Sequence, residues 1–237
     1  MANKGLSSIT KKLIMAVTGG ALVFFLLFHA SMNIVAIIKP EGYNKNCEFL
    51  GANWYALVAT AGLALLMVFH LIYAFVLSLQ NYRARGKQRY AVVEKQEGVS
   101  WASKNMLVIG AIVLIGLGLH LFNFWANMQL PEVLHKLGIH VEEAKLANVT
   151  DGVHYIVNTF SCPVYSIIYL VWLAFLWFHL AHGVASVMQS IGWNNHVWQK
   201  RIEVVGKLLA AVIVLLFASV VIYYWLINPS AAVVSAV

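Results

Sequence analysis

Five stretches of this chain are long, apolar and free of charge, and a bilayer leaves such stretches one architecture. A backbone in hydrocarbon must satisfy its own N–H and C=O groups, which for segments of this length means helices. A crossing takes roughly 20 apolar residues. Residues 13–38 lie between Lys12 and Lys39, 49–82 between Glu48 and Arg83, and 105–131 between Lys104 and Glu132. Residues 152–199 carry no acid, lysine or arginine, but only 164–188 are densely apolar. The last stretch begins after Lys207 and runs to about Ile227. The predicted fold is all-α, an integral membrane bundle of five transmembrane helices over about 13–38, 52–80, 105–130, 164–189 and 208–227. It fills residues 1–237 as a single domain.

Composition agrees. The chain is 61% hydrophobic and 11% charged, roughly half the charged share of a soluble domain. The piece with Asp151, His154, Asn158 and Pro163 is too polar to cross, so roughly 140–160 is read as a short helix or loop at one surface. The first apolar run is too long for a signal sequence and lacks an Ala-x-Ala exit, so no cleavable signal is expected. Cys47 and Cys162 form no CxxC, which argues against cysteine-held zinc or iron–sulfur clusters in this chain. Both fall near the outer ends of their spans. A disulfide between them is conceivable, but two separate thiols are expected.

The net charge of +7 does not point to nucleic acid, because the basic residues flank apolar segments, where they set orientation. Lys4, Lys11 and Lys12 precede span one. Arg83, Arg85, Lys87, Arg89, Lys95 and Lys104 follow span two, and Lys200, Arg201 and Lys207 follow span four. In the first loop Lys39 and Lys45 are balanced by Glu41 and Glu48. In the third, Lys136 and Lys145 are outnumbered by Glu132, Glu142, Glu143 and Asp151. The N-terminus and loops two and four are therefore expected inside, and the C-terminus outside.

Four of the spans carry a histidine near the middle: His29, His70, His120 and His179. An ionisable side chain at that depth is costly and marks function, with a partner to be named. Spans one and three run outward, and His29 and His120 lie past their midpoints. Spans two and four run inward, and His70 and His179 lie past theirs. At 1.5 Å per residue the offsets are roughly 5–7 Å. An outer pair, His29 with His120, and an inner pair, His70 with His179, result. Two histidines at one depth suit the axial positions of a haem, and this chain offers that twice. Gly19 and Gly110 each precede an outer histidine by ten residues, nearly three turns, which places each on the face that passes the inner pair. Span four holds a second candidate, His182, one turn after His179, and hydropathy does not choose between them. His135, His140, His154 and His196 lie in loops and are read as solvated. Trp172, Trp177, Tyr223, Tyr224 and Trp225 are read mostly as lipid-facing packing and interfacial belt.

At these residues the chain resembles the di-haem cytochrome b membrane-anchor subunit of succinate dehydrogenase and quinol:fumarate reductase, in its single-chain five-helix form. The resemblance rests on several pieces. They are Thr18-Gly19 followed by His29 and Asn33, Phe69-His70 before Tyr73, Gly110 followed by His120, and the run Phe178-His179-Leu180-Ala181-His182-Gly183. The family's fourth ligand is followed four residues on by glycine, and a further glycine closes the helix. Gly183 and Gly192 take those places if His179 is the ligand, so the resemblance favours His179 over His182. Some members carry a glutamate two residues before that ligand; here the position is Trp177, without a carboxylate.

The resemblance implies two b haems, ligated by His29 with His120 and by His70 with His179. It implies a flavoprotein and an iron–sulfur protein on the cytoplasmic face of a bacterial inner membrane, FAD and iron–sulfur clusters residing only in those partners. It also implies a quinone, expected to be menaquinone, exchanging electrons at the outer side. The basic second loop, Arg83 to Lys104, and the fourth loop are the expected docking face. Glu48, at the mouth of span two, is the expected proton-exchanging group near the quinone. Two other classes share membrane histidines: a haem-b anchor of a hydrogenase or formate dehydrogenase, and a proton-coupled transporter. The transporter would want carboxylates within its spans, and the five apolar cores contain none.

Overall fold

A computed structural model describes residues 6–51, 53–84, 101–193 and 197–227. All regular structure among them is helical. In chain order it comprises α1 (Ser8–Ile38), α2 (Pro40–Leu50), α3 (Trp54–Ala84), α4 (Trp101–Lys104), α5 (Met106–His120), a π-helical segment (Leu121–Trp125), α6 (Gln129–Lys136), α7 (Glu143–Ala147), α8 (Gly152–Phe160), α9 (Pro163–Ser190) and α10 (Gln199–Ile227). Five of these are long and apolar enough to cross a membrane: α1, α3, α5 with its π-helical extension, α9 and α10. The chain is a multi-pass membrane protein with the predicted five-helix all-α architecture.

Two boundaries differ from the hydropathy reading for a physical reason. Helix α1 starts at Ser8, whose preceding Ser7 accepts the Thr10 N–H through its hydroxyl, and so takes in Lys11 and Lys12. Helix α10 starts at Gln199, ahead of Lys200, Arg201 and Lys207. Lysine and arginine are good helix formers, and their long stems let the charge reach water from a helix end. Charge ends an apolar run without ending the helix.

Helices α1, α9 and α10 form the centre. They meet through Ala30, Ala36, Leu173, Leu176, Leu180, Ala210 and Ile213, all nearly or fully buried. Small residues at such contacts let membrane helices approach closely, which replaces the hydrophobic drive that lipid does not supply. The Tyr224 hydroxyl, near the end of α10, donates to the Ala36 carbonyl, near the end of α1, at 2.7 Å, so these two helices run parallel. Tyr224 is 4% exposed and belongs to the core, which corrects its reading as lipid-facing packing or interfacial belt. Helix α9 ends in a Schellman arrangement: Trp193 N–H reaches Met188 O at 3.1 Å and Gly192 N–H reaches Gln189 O at 3.2 Å. Gly192 takes the required positive φ of 85°.

Helix α3 packs on α1 and α5 packs on α9, while α3 and α5 have no comparable contact with each other among the described residues. The four histidine-bearing helices therefore follow the order α3, α1, α9, α5, with an open seam between the first and last. One end of the bundle is covered by α2, α6, α7 and α8. There the Asn44 amide donates to Asp151 Oδ1 at 2.8 Å, and Asn44 Oδ1 accepts the Val153 N–H at 3.0 Å. Sequence placed a short helix or loop on the surface over 140–160. In the structure α8 is instead drawn inward, with Ile156, Thr159 and Phe160 buried. Helix α2, starting on Pro40, replaces what read as a loop. Cys47 and Cys162 are both free thiols.

Candidate bis-histidine cofactor sites

The structure brings the four mid-span histidines together in two pairs. The His29 and His120 ring centres are 5.9 Å apart, and those of His70 and His179 are 6.2 Å apart. Ring contacts join His70 to His179 and, among the described residues, not to His182. Each pair spans a diagonal of the four-helix ring, α1 to α5 and α3 to α9. Thr18 and Gly19 of α1 sit at the level of His70, and His29 lies ten residues beyond Gly19. The two pairs are thus about 15 Å apart along the bundle.

The spacing suits a metal between each pair. An imidazole nitrogen holds a metal at about 2.0–2.1 Å, and the ring centre lies about 1 Å behind it, so two imidazoles on opposite sides of one metal have centres about 6 Å apart. Two side chains alone do not complete a coordination sphere. Among the described residues no group of three or more histidine, cysteine or acidic side chains converges. A group bringing its own ring of equatorial donors fits such a pair, and haem is that kind of group.

Thr18 favours one tautomer of His70. Its hydroxyl donates to the Ile14 carbonyl at 2.8 Å. Its oxygen lies 3.4 Å from His70 Nδ1 and so acts there as acceptor. The ring proton then belongs on Nδ1 and the Nε2 lone pair is left for a metal, the outer-shell arrangement usual for ligating histidines. A Cβ on Gly19 would stand 3.3 Å from His70 Cε1, and one on Gly110 3.9 Å from His179 Cε1. Both glycines therefore flank the inner pair, at the depth their spacing predicted. His179 Nδ1 is buried with no hydrogen-bond partner, an orphan that a buried polar group rarely is.

Aromatic rings surround the outer pair. Phe25 stacks on His29 at 5.4 Å, and Phe217 of α10 lies 5.5 Å from it. Trp172 of α9 stacks on His120 at 6.0 Å and donates its indole N–H to Val113 O at 3.1 Å. This corrects the belt assignment of Trp172: it is part of the wall of the site. A Cβ on Gly116, four residues before His120, would overlap the Trp172 indole, so glycine is the residue that admits the tryptophan. That i−4 spacing was the available signal. Asn33 donates to the His29 carbonyl at 2.8 Å, lies 3.3 Å from Nδ1, and takes the Tyr43 hydroxyl on Oδ1.

Beyond His120 the helix loosens. Ala126 N–H bonds to Leu121 O at 2.8 Å, one residue further back than in an α-helix. Asn127 donates its side-chain amide to the Phe122 and Asn123 carbonyls, which competes with the regular ladder. Such π segments recur beside functional sites, and this one follows the third histidine directly.

At the covered end, Glu48 is exposed on a groove shared with Glu41, Asn44, Lys45, Thr150 and Asp151. It stands in the last turn of α2, shortly before α3 begins at Trp54. Glu132 is withdrawn from water instead. Its Oε2 is buried without a partner, and burial pushes the carboxyl above its ordinary range, against the opposing pull of Lys136. His135, His140 and His154 are exposed. His196, and residues Arg85, Lys87, Arg89 and Lys95 of the second loop, lie outside the described residues.

No family model, curated protein or solved structure matches this chain.

Proposed function

We propose that this chain is the cytochrome b membrane-anchor subunit of a succinate:quinone oxidoreductase, holding two b haems. The observation that carries the reading is the double diagonal pairing: two histidine pairs at two depths, each at the separation of imidazoles on opposite faces of one metal. His29 with His120 would hold the outer haem and His70 with His179 the inner one. When bound, a bis-histidine haem supplies one-electron transfer with no open coordination position.

The residues of this chain bind, orient and insulate. Thr18 holds the His70 ring by its Nδ1–H. Gly19 and Gly110 keep side chains away from the inner pair. Trp172, Phe25 and Phe217 exclude water from the outer pair. Basic residues at the starts of α1 and α10 and around α4 orient that face toward the cytoplasm of a bacterial cell, where a flavoprotein with FAD and an iron–sulfur protein dock. The covered end then faces outward. A membrane quinone, menaquinone by expectation, reacts there, because the outer pair ends a path that starts at the cytoplasmic partners.

Purification of the intact complex, with haem, flavin and iron quantified per copy of this chain, tests the reading. Two haems per chain and one covalent or tightly held flavin in a partner are expected. Haem without a flavoprotein would assign the chain to a hydrogenase or formate dehydrogenase anchor. A complex without haem would overturn the proposal.

A further inference from the structure

The two histidine pairs differ in what faces their Nδ1 atoms. At His70 the partner is the Thr18 oxygen, an acceptor there. At His29 it is the Asn33 amide nitrogen, 3.3 Å away. That nitrogen also donates to the His29 carbonyl at 2.8 Å. A carbonyl only accepts, so the amide nitrogen belongs on the His29 side. The amide oxygen is turned away, toward the Tyr43 hydroxyl, which donates to it at 3.3 Å. Tyr43 comes from α2, which follows α1 directly at Pro40. Gly152 of α8 makes room for it: a Cβ there would stand 2.7 Å from Tyr43 Cε1 and 2.6 Å from Cys47 Sγ. Burial raises the Tyr43 phenol above its ordinary range, so it keeps its proton and stays able to donate.

An acceptor at Nδ1–H makes a metal-bound imidazole more basic, which favours the oxidised metal. A donor nitrogen in the same place gives the ring no such push. Asn33 carries its own acceptor beside the His29 ring, and Tyr43 occupies it. We infer that Tyr43 is a positioning residue for the outer pair: by holding Asn33 Oδ1 it keeps an acceptor away from His29 Nδ1, and so keeps the outer centre at a higher potential than it would otherwise have. The inference rests on the proposed function, because it concerns the metal-bound pair. It gives α2 a part in the electronics of the outer centre as well as in covering it.

The test is a redox titration of the haems in the intact complex, with haem content measured for each variant. The step lost in His70→Ala or His179→Ala is the inner one, which identifies the outer step. Y43F frees the Asn33 oxygen to turn to the ring. It should lower the outer step by about tenfold in its reduction equilibrium constant, ~59 mV for one electron, with both haems retained. N33D puts an acceptor at Nδ1 outright and should lower the same step at least as far. N33L offers no acceptor, so adding Y43F to N33L should cause no further shift, whereas a merely structural hydroxyl would act in both backgrounds. An unchanged outer step in Y43F, a Y43F shift that persists in N33L, or a shift of the inner step in N33D would each overturn the inference. Loss of the outer haem in Y43F would also overturn it, by making the hydroxyl a structural support. A wild-type complex without haem would overturn the proposed function, and this inference with it.

Discussion

At the scale of single residues, the proposed chemistry falls to the histidines and the groups touching them. Replacing His29, His70, His120 or His179 by alanine should each remove about one haem per chain, read by a pyridine haemochrome assay. His182→Ala should keep both, and the reverse result in span four would transfer the ligand role to His182. Thr18→Val removes the acceptor that makes the His70 ring more basic. The inner haem potential should then rise by tens of millivolts, ~59 mV being a factor of ten for one electron; an unchanged redox titration would deny Thr18 that part. Gly116→Ala forces Trp172 off His120 and should cost about 1–3 kcal/mol of stability, with a perturbed outer-haem spectrum in the protein that survives. The histidines were legible because an ionisable group in an apolar run stands out from its surroundings. Trp172 was not, since an indole facing lipid and an indole against a histidine read alike in hydropathy. What separates them is Gly116 on another helix.

At the scale of elements, hydropathy found every span because it measures what hydrocarbon accepts. It missed what backbone hydrogen bonding decides: the charged first turns of α10, the π segment after His120, and α2. The covering helices have testable consequences of their own. Asn44 makes two side-chain bonds that tie α2 to α8, so Asn44→Ala should lower the melting temperature by the equivalent of about 1–3 kcal/mol, measured in detergent with bound lipid held constant. Burial beneath α8 pushes the Cys47 thiol up to about 11. The thiolate is the reactive form, so at pH 8 only about a thousandth is available. Maleimide should label Cys47 slowly in the folded protein and fast after denaturation, and rapid labelling of the folded chain would show that α2 does not stay docked.

At the scale of the whole molecule, the lysine and arginine distribution gives the two faces different roles. Crosslinks from Lys104, Lys200 and Lys207 to a flavoprotein or iron–sulfur partner are expected, and crosslinks from Lys136 and Lys145 instead would invert the bundle. The two depths were readable from the sequence. The order of the helices around the ring was not, because it depends on which small residues meet across α1, α9 and α10, a matter of shape with no periodic signature. That order has a temporal side. Each histidine pair joins helices that barely touch otherwise, so any group bound between them would brace the bundle across its diagonals. A ribosome delivers α5 well before α9. The outer clasp can therefore shut while the chain is still growing, whereas the inner one must wait for the fourth span, so maturation of the two centres has a built-in sequence set by translation itself.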